Sequence, residues 1–336
     1  MRQLVSTEDR RLEWWEVDDP RIEDSRDALV RPLAVAACDM DFRMIRGETP
    51  LPGPIALGHE VVAEVVDVGD AAAARGVAPG DVVVVPFQIS CGHCARCLAG
   101  HSSMCESVPR RSMYGFGAMG GPWGGALSDL MRVPFADHML VPLPAGVDPV
   151  AAASASDNIP DAWRCVAPFV NEGDRVLVAG GGAVSIALYA VAIAKALGAA
   201  EVAYLDDDPG RMALACELGA ATVEDAPGPY EVTVDASVNP EHLATALRST
   251  APCGTCTSVG IYWTPATPVP LLDMYDRAVT FVTGSPHARA NIPQVLDAIA
   301  NETFHPEQIT DAVVSFEDAA DALREQHTKL VLVPGH

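Results

Sequence analysis

Four closely spaced cysteines constrain this chain more than any other feature: Cys91-Gly-His-Cys94-Ala-Arg-Cys97, then Cys105 after a short interval. The first three are each separated by two residues, the spacing that lets thiolates wrap one Zn²⁺ tetrahedrally. Gly92 and the small Ala95 permit the tight turns between ligands. A pair of disulfides is the alternative, but bridges between thiols so close would be strained, and no secretory signal precedes them. The reading is a structural zinc lobe over residues 88–108, with Cys91, Cys94, Cys97 and Cys105 as a full ligand set that leaves substrate no position.

A chain of 336 residues exceeds one ordinary core, so two domains are expected. Acidic residues number 45 against 22 basic ones, a formal charge of −23, and the lysines are Lys195 and Lys329. Such a surface repels nucleic acid and anionic membranes and points to a small-molecule partner, although solubility or compositional bias accounts for the charge equally well. The apolar run from Ala183 is cut at Lys195 and Gly198, well short of the roughly 20 residues of a membrane span. With a charged start and no apolar leader, the expectation is a cytoplasmic protein using its cysteines as metal ligands and free thiols.

Residues 28–37 read as a strand that delivers Cys38-Asp39-Met40-Asp41. Gly58-His59-Glu60 opens a valine-rich strand to Val68, and a second strand runs from Asp81 to Pro86 after the turn Ala78-Pro79-Gly80. One thiol and one imidazole make half a metal site. Taken singly, Cys38 reads as a buried apolar thiol and His59 as a satisfied histidine.

Taken together, Cys-x-x-Asp, Gly-His-Glu and the four-cysteine loop resemble the zinc-dependent medium-chain alcohol dehydrogenases, over nearly the whole length. The stretches Leu130–Asp137 and Ser156-Asp157-Asn158-Ile159-Pro160 resemble the formaldehyde-dehydrogenase-like branch, in which the third ligand of the catalytic zinc is a carboxylate. The resemblance implies a GroES-like β-rich catalytic domain, residues 1–158 and 285–336, and an α/β Rossmann dinucleotide-binding domain, residues 159–284. It implies a second zinc on Cys38, His59 and Asp157, with Asp41 orienting the histidine and Glu60 approaching the metal from behind. Asp157 ahead of Pro160 also reads as a helix N-cap. The glycine-rich stretch 115–125 would be a loop over the cleft, ending near Trp123.

Beyond Pro168 the pattern becomes strand (Arg175 to Ala179), glycine turn (Gly180-Gly181-Gly182), apolar helix (Ala183 to Leu197), strand (Glu201 to Leu205) and acid (Asp206-Asp207-Asp208). This order suits a dinucleotide, with pyrophosphate at the helix N-terminus beside Ile186 and the adenosine ribose on Asp206. Three adjacent acids favour NAD over NADP. Of the family's three glycines, aligned by the resemblance, Gly182 alone survives, since Val184 and Ala187 occupy the other positions. Arg211 fits a position flanking the adenine or is a solvated helix arginine. Further strands are expected at 231–236, 255–261 and 278–283, the last pairing across a dimer axis in the family. The resemblance puts Gly260 and Ile261 at the nicotinamide and Arg289 at the pyrophosphate. Met40, Trp123, Tyr262 and Trp263 would line the substrate pocket, the last two fitting a subunit contact equally well. Cys253-x-x-Cys256 reads as a strand entry rather than a redox pair.

The pattern breaks where the family carries its proton relay. Met40 replaces a hydroxyl residue and Arg43 a frequent histidine, and neither side chain exchanges protons near neutrality. The expected function is zinc-dependent, NAD-linked interconversion of an alcohol with an aldehyde or ketone, in a homodimer or homotetramer, with two Zn²⁺ per chain. Two alternatives stand beside it: a reductase of a conjugated C=C or iminium on the same fold, and a non-catalytic protein that binds zinc and NAD.

Overall fold

The computed structural model describes residues 1–226 and 228–335. It divides into two compact units, one of Met1–Pro160, His287–Glu302 and Thr310–His336, the other of Asp161–Pro286 and Thr303–Ile309. The return of Thr303–Ile309 to the second unit departs from the sequence expectation. Its cause is apolar: Phe304 is buried and meets the ring of Tyr189 with centroids 6.1 Å apart.

The first unit is built on a seven-stranded sheet. Ala28–Ala36 and Glu60–Val68 are its central antiparallel pair, flanked by Val82–Val85 on one side and by Leu330–Val333, then Ala312–Ser315, on the other. Their alternation of Val, Ala and Leu buries a large core on one face, with Val30, Val35, Val61 and Leu332, and a smaller cluster with Ala34, Ala36 and Val331 on the other. Pro32 lies inside the first of these strands, and the ladder absorbs it by a register shift between Pro32 and Ala34. A three-stranded sheet, Leu12–Glu16, Arg2–Ser6 and Ile55–Ala56, completes the unit.

In the second unit six parallel strands, numbered in chain order, lie 3-2-1-4-5-6, the doubly wound arrangement. The first is Arg175–Ala179, and the helix Val184–Ala196 follows it with Ser185–Val191, Ile193 and Ala194 buried. That helix stops at Gly198, whose φ of +85° is the left-handed geometry that closes helices. The fifth strand spans Thr250–Ser258, displaced from the 255–261 read in the sequence. Pro252-Cys253-Gly254 resembles a turn but forms an irregularity within the strand, with Cys253 at φ +59°. Among the described residues no helix is long and apolar enough to cross a membrane.

Candidate active site and zinc lobe

Cys38 follows the strand Ala28–Ala36 and caps the helix Asp39–Ile45. Its sulfur accepts from the Met40 amide at 3.5 Å, while Asp41 Oδ2 accepts from the Cys38 amide at 2.9 Å. This reciprocal capping box fixes thiol and carboxylate together. His59 enters from the start of Glu60–Val68. The preceding Gly58 has φ +86°, and a Cβ there would come within 2.8 Å of the Leu127 amide nitrogen, so only glycine fits. Asp157 comes from the turn after the short 3₁₀ segment Ala153–Ser156.

These three side chains converge within the first unit. His59 Nε2 stands 3.4 Å from Asp157 Oδ2, Asp157 Oδ2 stands 3.9 Å from Cys38 Sγ, and one donor atom from each residue lies within 4.8 Å of the others. All three residues are buried. His59 Nδ1 faces Asp41 Oδ1 at 3.5 Å, yet neither ring nitrogen makes a hydrogen bond within the described residues. A fully buried imidazole with both nitrogens unmet is costly, and a metal ion on Nε2 removes that cost. The spacing suits zinc, since bonds of about 2.0–2.3 Å in a tetrahedron set donors roughly 3.3–3.8 Å apart. Burial pushes the Cys38 thiol up to about 12, so a metal arriving here must displace a proton.

Behind the trio lies a buried ion pair. Lys329 Nζ meets Glu60 Oε2 at 2.5 Å, and Glu60 also accepts from Ser154 Oγ at 2.9 Å and from the Asn158 amide at 3.0 Å. Burial pushes the Glu60 carboxyl up to about 7 against the opposing pull of Lys329. Phe116 and Phe87 wall the His59 ring, with centroids 4.9 and 5.7 Å away. Sequence reasoning assigned no role to Lys329, Phe87 or Phe116. The scarcity of lysine in so acidic a chain was the one available signal, and it pointed to no partner.

The four cysteines of the lobe gather so that their sulfurs lie within 4.8 Å of one another, and all nine cysteines of the chain are unbridged. Backbone amides converge on the sulfurs: Cys94 on Cys91 at 3.4 Å, Glu106 on Cys94 at 3.4 Å, and Ser107 on Cys105 at 3.4 Å. Although burial opposes ionisation, the Ser107 hydroxyl and the amides of His93 and Cys94 hold the Cys91 thiol below its usual range. That donor chemistry fits a tetrathiolate metal. Gly92 has φ +78°, and a Cβ there would overlap the ring of His138.

The second unit places the dinucleotide candidates less simply. Gly180 lies against Tyr204 and Asp206, and a Cβ would overlap both the phenol oxygen and the carboxylate. Gly180→Ala is therefore expected to cost about 1–3 kcal/mol, read as a lowered Tm. The Gly182 and Ala183 amides bond the carbonyls of Ser237 and Ala236, closing the glycine turn onto the end of the fourth strand, Tyr230–Asp235. Ile186 is buried in the helix that follows. Asp206 is already heavily engaged: Tyr204 hydroxyl at 2.7 Å, Arg211 Nε at 2.8 Å, Arg211 Nη2 at 2.5 Å and the Asp208 amide at 3.1 Å. Arg211 is thus not a freely solvated helix arginine; it is a bidentate partner of Asp206.

Several pocket expectations change. Trp123 lies beneath the Arg132 guanidinium, 5.5 Å from its ring centre, and lines a surface cavity with Gln3, Val17 and Pro122 rather than the Cys38 site. Tyr262 turns its hydroxyl onto Asp235 at 3.0 Å, inside the second unit's hydrogen-bond network, because that buried carboxylate also collects Ser237 and Ser258. Ile261 and Trp263 are exposed, and the Tyr262 ring packs over Gly260. Met40 packs on the first unit's core, and Arg43 has a carboxylate neighbour, Glu48, at 3.9 Å. Arg289 donates its Nε to the His138 carbonyl, within the first unit.

A thiol, imidazole and carboxylate trio beside a four-cysteine lobe, in a chain that also carries a 3-2-1-4-5-6 parallel sheet, defines a two-domain zinc dehydrogenase architecture. Residues 24–145 match the alcohol dehydrogenase GroES-like domain and residues 185–301 the zinc-binding dehydrogenase domain. The glutathione-independent formaldehyde dehydrogenase of Pseudomonas aeruginosa is 38% identical over 202 residues, 57% of this chain and 49% of that protein. The chain thus spans about half the length of that relative. Geraniol dehydrogenase of Castellaniella defragrans is 30% identical over 311 residues, 81% of this chain and 80% of its own. The solved alcohol dehydrogenase TADH from Thermus sp. ATN1 superposes over 100% of both chains with a TM-score of 0.92 at 30% identity. The chain belongs to the zinc-binding alcohol dehydrogenase family.

Proposed function

We propose that the protein is a zinc-dependent NAD(H) oxidoreductase that interconverts an alcohol and an aldehyde or ketone. The observation that carries this reading is the convergence of Cys38, His59 and Asp157, with both His59 nitrogens otherwise unmet. One thiolate and one carboxylate balance a dication, and three protein ligands leave a fourth position for substrate. A zinc ion held there supplies a Lewis acid for a substrate oxygen. With a metal on Nε2, Asp41, which faces Nδ1 at 3.5 Å, would accept its hydrogen and fix the His59 tautomer, and Phe87 and Phe116 wall the ring. Lys329 balances Glu60 behind the site. A second zinc on Cys91, Cys94, Cys97 and Cys105 staples the lobe.

NAD fits better than NADP, because Asp206, Asp207 and Asp208 oppose a 2′-phosphate while Arg211 is already neutralised by Asp206. The ribose would gain the Asp206 oxygens by displacing part of that pairing. A second copy of the chain fits along the sheet-edge strand Thr280–Thr283, beside exposed Leu271, Leu272 and Tyr275.

The test is NAD reduction with a panel of alcohols, and NADH oxidation with aldehydes and ketones. Turnover that vanishes on metal chelation supports the reading. Met40 and Arg43 favour one specific alternative, reduction of a conjugated C=C or iminium, which needs no alkoxide proton relay. On the leading reading, Met40→Ser raises the alcohol rate, by up to about 10²-fold. Turnover of enals or iminium ions alone, unchanged in Met40→Ser, decides for the alternative.

A further inference from the structure

The residue after the carboxylate ligand has no part in the reading above. Asn158 is fully buried, and its Oδ1 lies 3.3 Å from Cys38 Sγ, nearer than the 3.9 Å that separates the sulfur from Asp157 Oδ2. Its backbone amide is tied to Glu60 Oε1 at 3.0 Å, which fixes the main chain from which the side chain reaches the sulfur. The sulfur's other hydrogen-bond contacts are longer: the Met40 amide at 3.5 Å and Asp157 Oδ2 at 3.9 Å.

A protonated Cys38 donates to the Asn158 oxygen, as the structure shows. A metal-bound Cys38 is a thiolate and has only lone pairs to offer. The carboxamide meets both states, because its oxygen and nitrogen ends occupy the same shape and exchange by rotation about the terminal torsion. We propose that Asn158 is a positioning residue for the zinc thiolate: its Nδ2–H donates to Cys38 Sγ when the metal is bound. Such a bond draws electron density off the sulfur, weakens its donation to the metal and leaves the ion a stronger Lewis acid. The pairing also orients Cys38 through a residue 120 positions away in the sequence. In an active site without a hydroxyl or histidine relay, greater polarisation of the substrate oxygen partly offsets the missing proton acceptor.

The inference rests on the zinc reading of Cys38, His59 and Asp157, and the experiment separates the two. Cobalt is placed in this site with zinc retained in the cysteine lobe, and the sulfur-to-cobalt charge-transfer band is recorded for wild type, Asn158→Leu and Asn158→Asp. Leucine has no hydrogen to give, and aspartate, which keeps the shape should leucine disturb the fold, has none when ionised; its spectrum is therefore recorded across pH. Both are expected to move the band to longer wavelength, the sulfur orbitals being no longer stabilised, while the ligand-field bands set by geometry stay in place. A band that does not move in a variant that still binds cobalt overturns the role of Asn158 and leaves the zinc reading intact. Wild-type protein that takes up no cobalt outside the lobe overturns both.

Discussion

Cys38→Ala is expected to abolish turnover while leaving a folded protein. The variant removes the sulfur from a three-ligand set, and His59 and Asp157 alone make a poor site. Loss of a Lewis acid worth several kcal/mol in the transition state corresponds to a rate decrease of about 10³-fold or more. The four-cysteine lobe is a separate cluster, so one zinc atom per chain should persist. Asp41 still accepts from the backbone amide at position 38, and the helix Asp39–Ile45 keeps that half of its cap. Far-UV circular dichroism and Tm would then be near wild type. A variant retaining more than a tenth of the wild-type rate would show that Cys38 does not hold the reacting metal.

Lys329→Met is expected to be the most destabilising single substitution outside the metal ligands, by about 3–5 kcal/mol in chemical denaturation. Lys329 is 1% exposed and its ammonium meets a carboxylate that is wholly buried. Removing the cation strands Glu60 among groups that bond its charged form, Ser154 Oγ and the Asn158 amide. Burial already lifts the Glu60 carboxyl, and without Lys329 it is lifted further and takes up a proton. The double variant Glu60→Gln/Lys329→Met, which leaves no stranded charge, should recover a substantial part of the loss. Equal destabilisation in the single and double variants would mean that Lys329 contributes packing rather than charge.

What the sequence could disclose follows from how far apart the partners lie. The cysteine lobe and the strand, glycine turn, helix and strand unit are local, and their spacing carries the geometry directly. Arg175–Ala179, Glu201–Leu205 and Leu330–Val333 fall where the apolar runs put them. The trio of Cys38, His59 and Asp157 spans 119 positions, so nothing in residue spacing joins its members; only the family resemblance brought them into one site. Lys329 and Glu60 are 269 positions apart, and no periodic signal encodes such a pairing. Arg211, five residues after Asp206, was within reach of sequence reasoning, because a helix opening at Pro209 turns an arginine in its first turn back toward the strand end. The bulge at Pro252-Cys253-Gly254 misled for a physical reason: turn residues inside a strand look like its end.

The most direct test of the account is the number and place of metal atoms in protein purified without added zinc or chelator, by elemental analysis and anomalous scattering at the zinc edge. The account predicts two zinc atoms per chain, one amid Cys91, Cys94, Cys97 and Cys105, and one bridging Cys38, His59 and Asp157. A single zinc atom, confined to the cysteine lobe in an otherwise native protein, would contradict it.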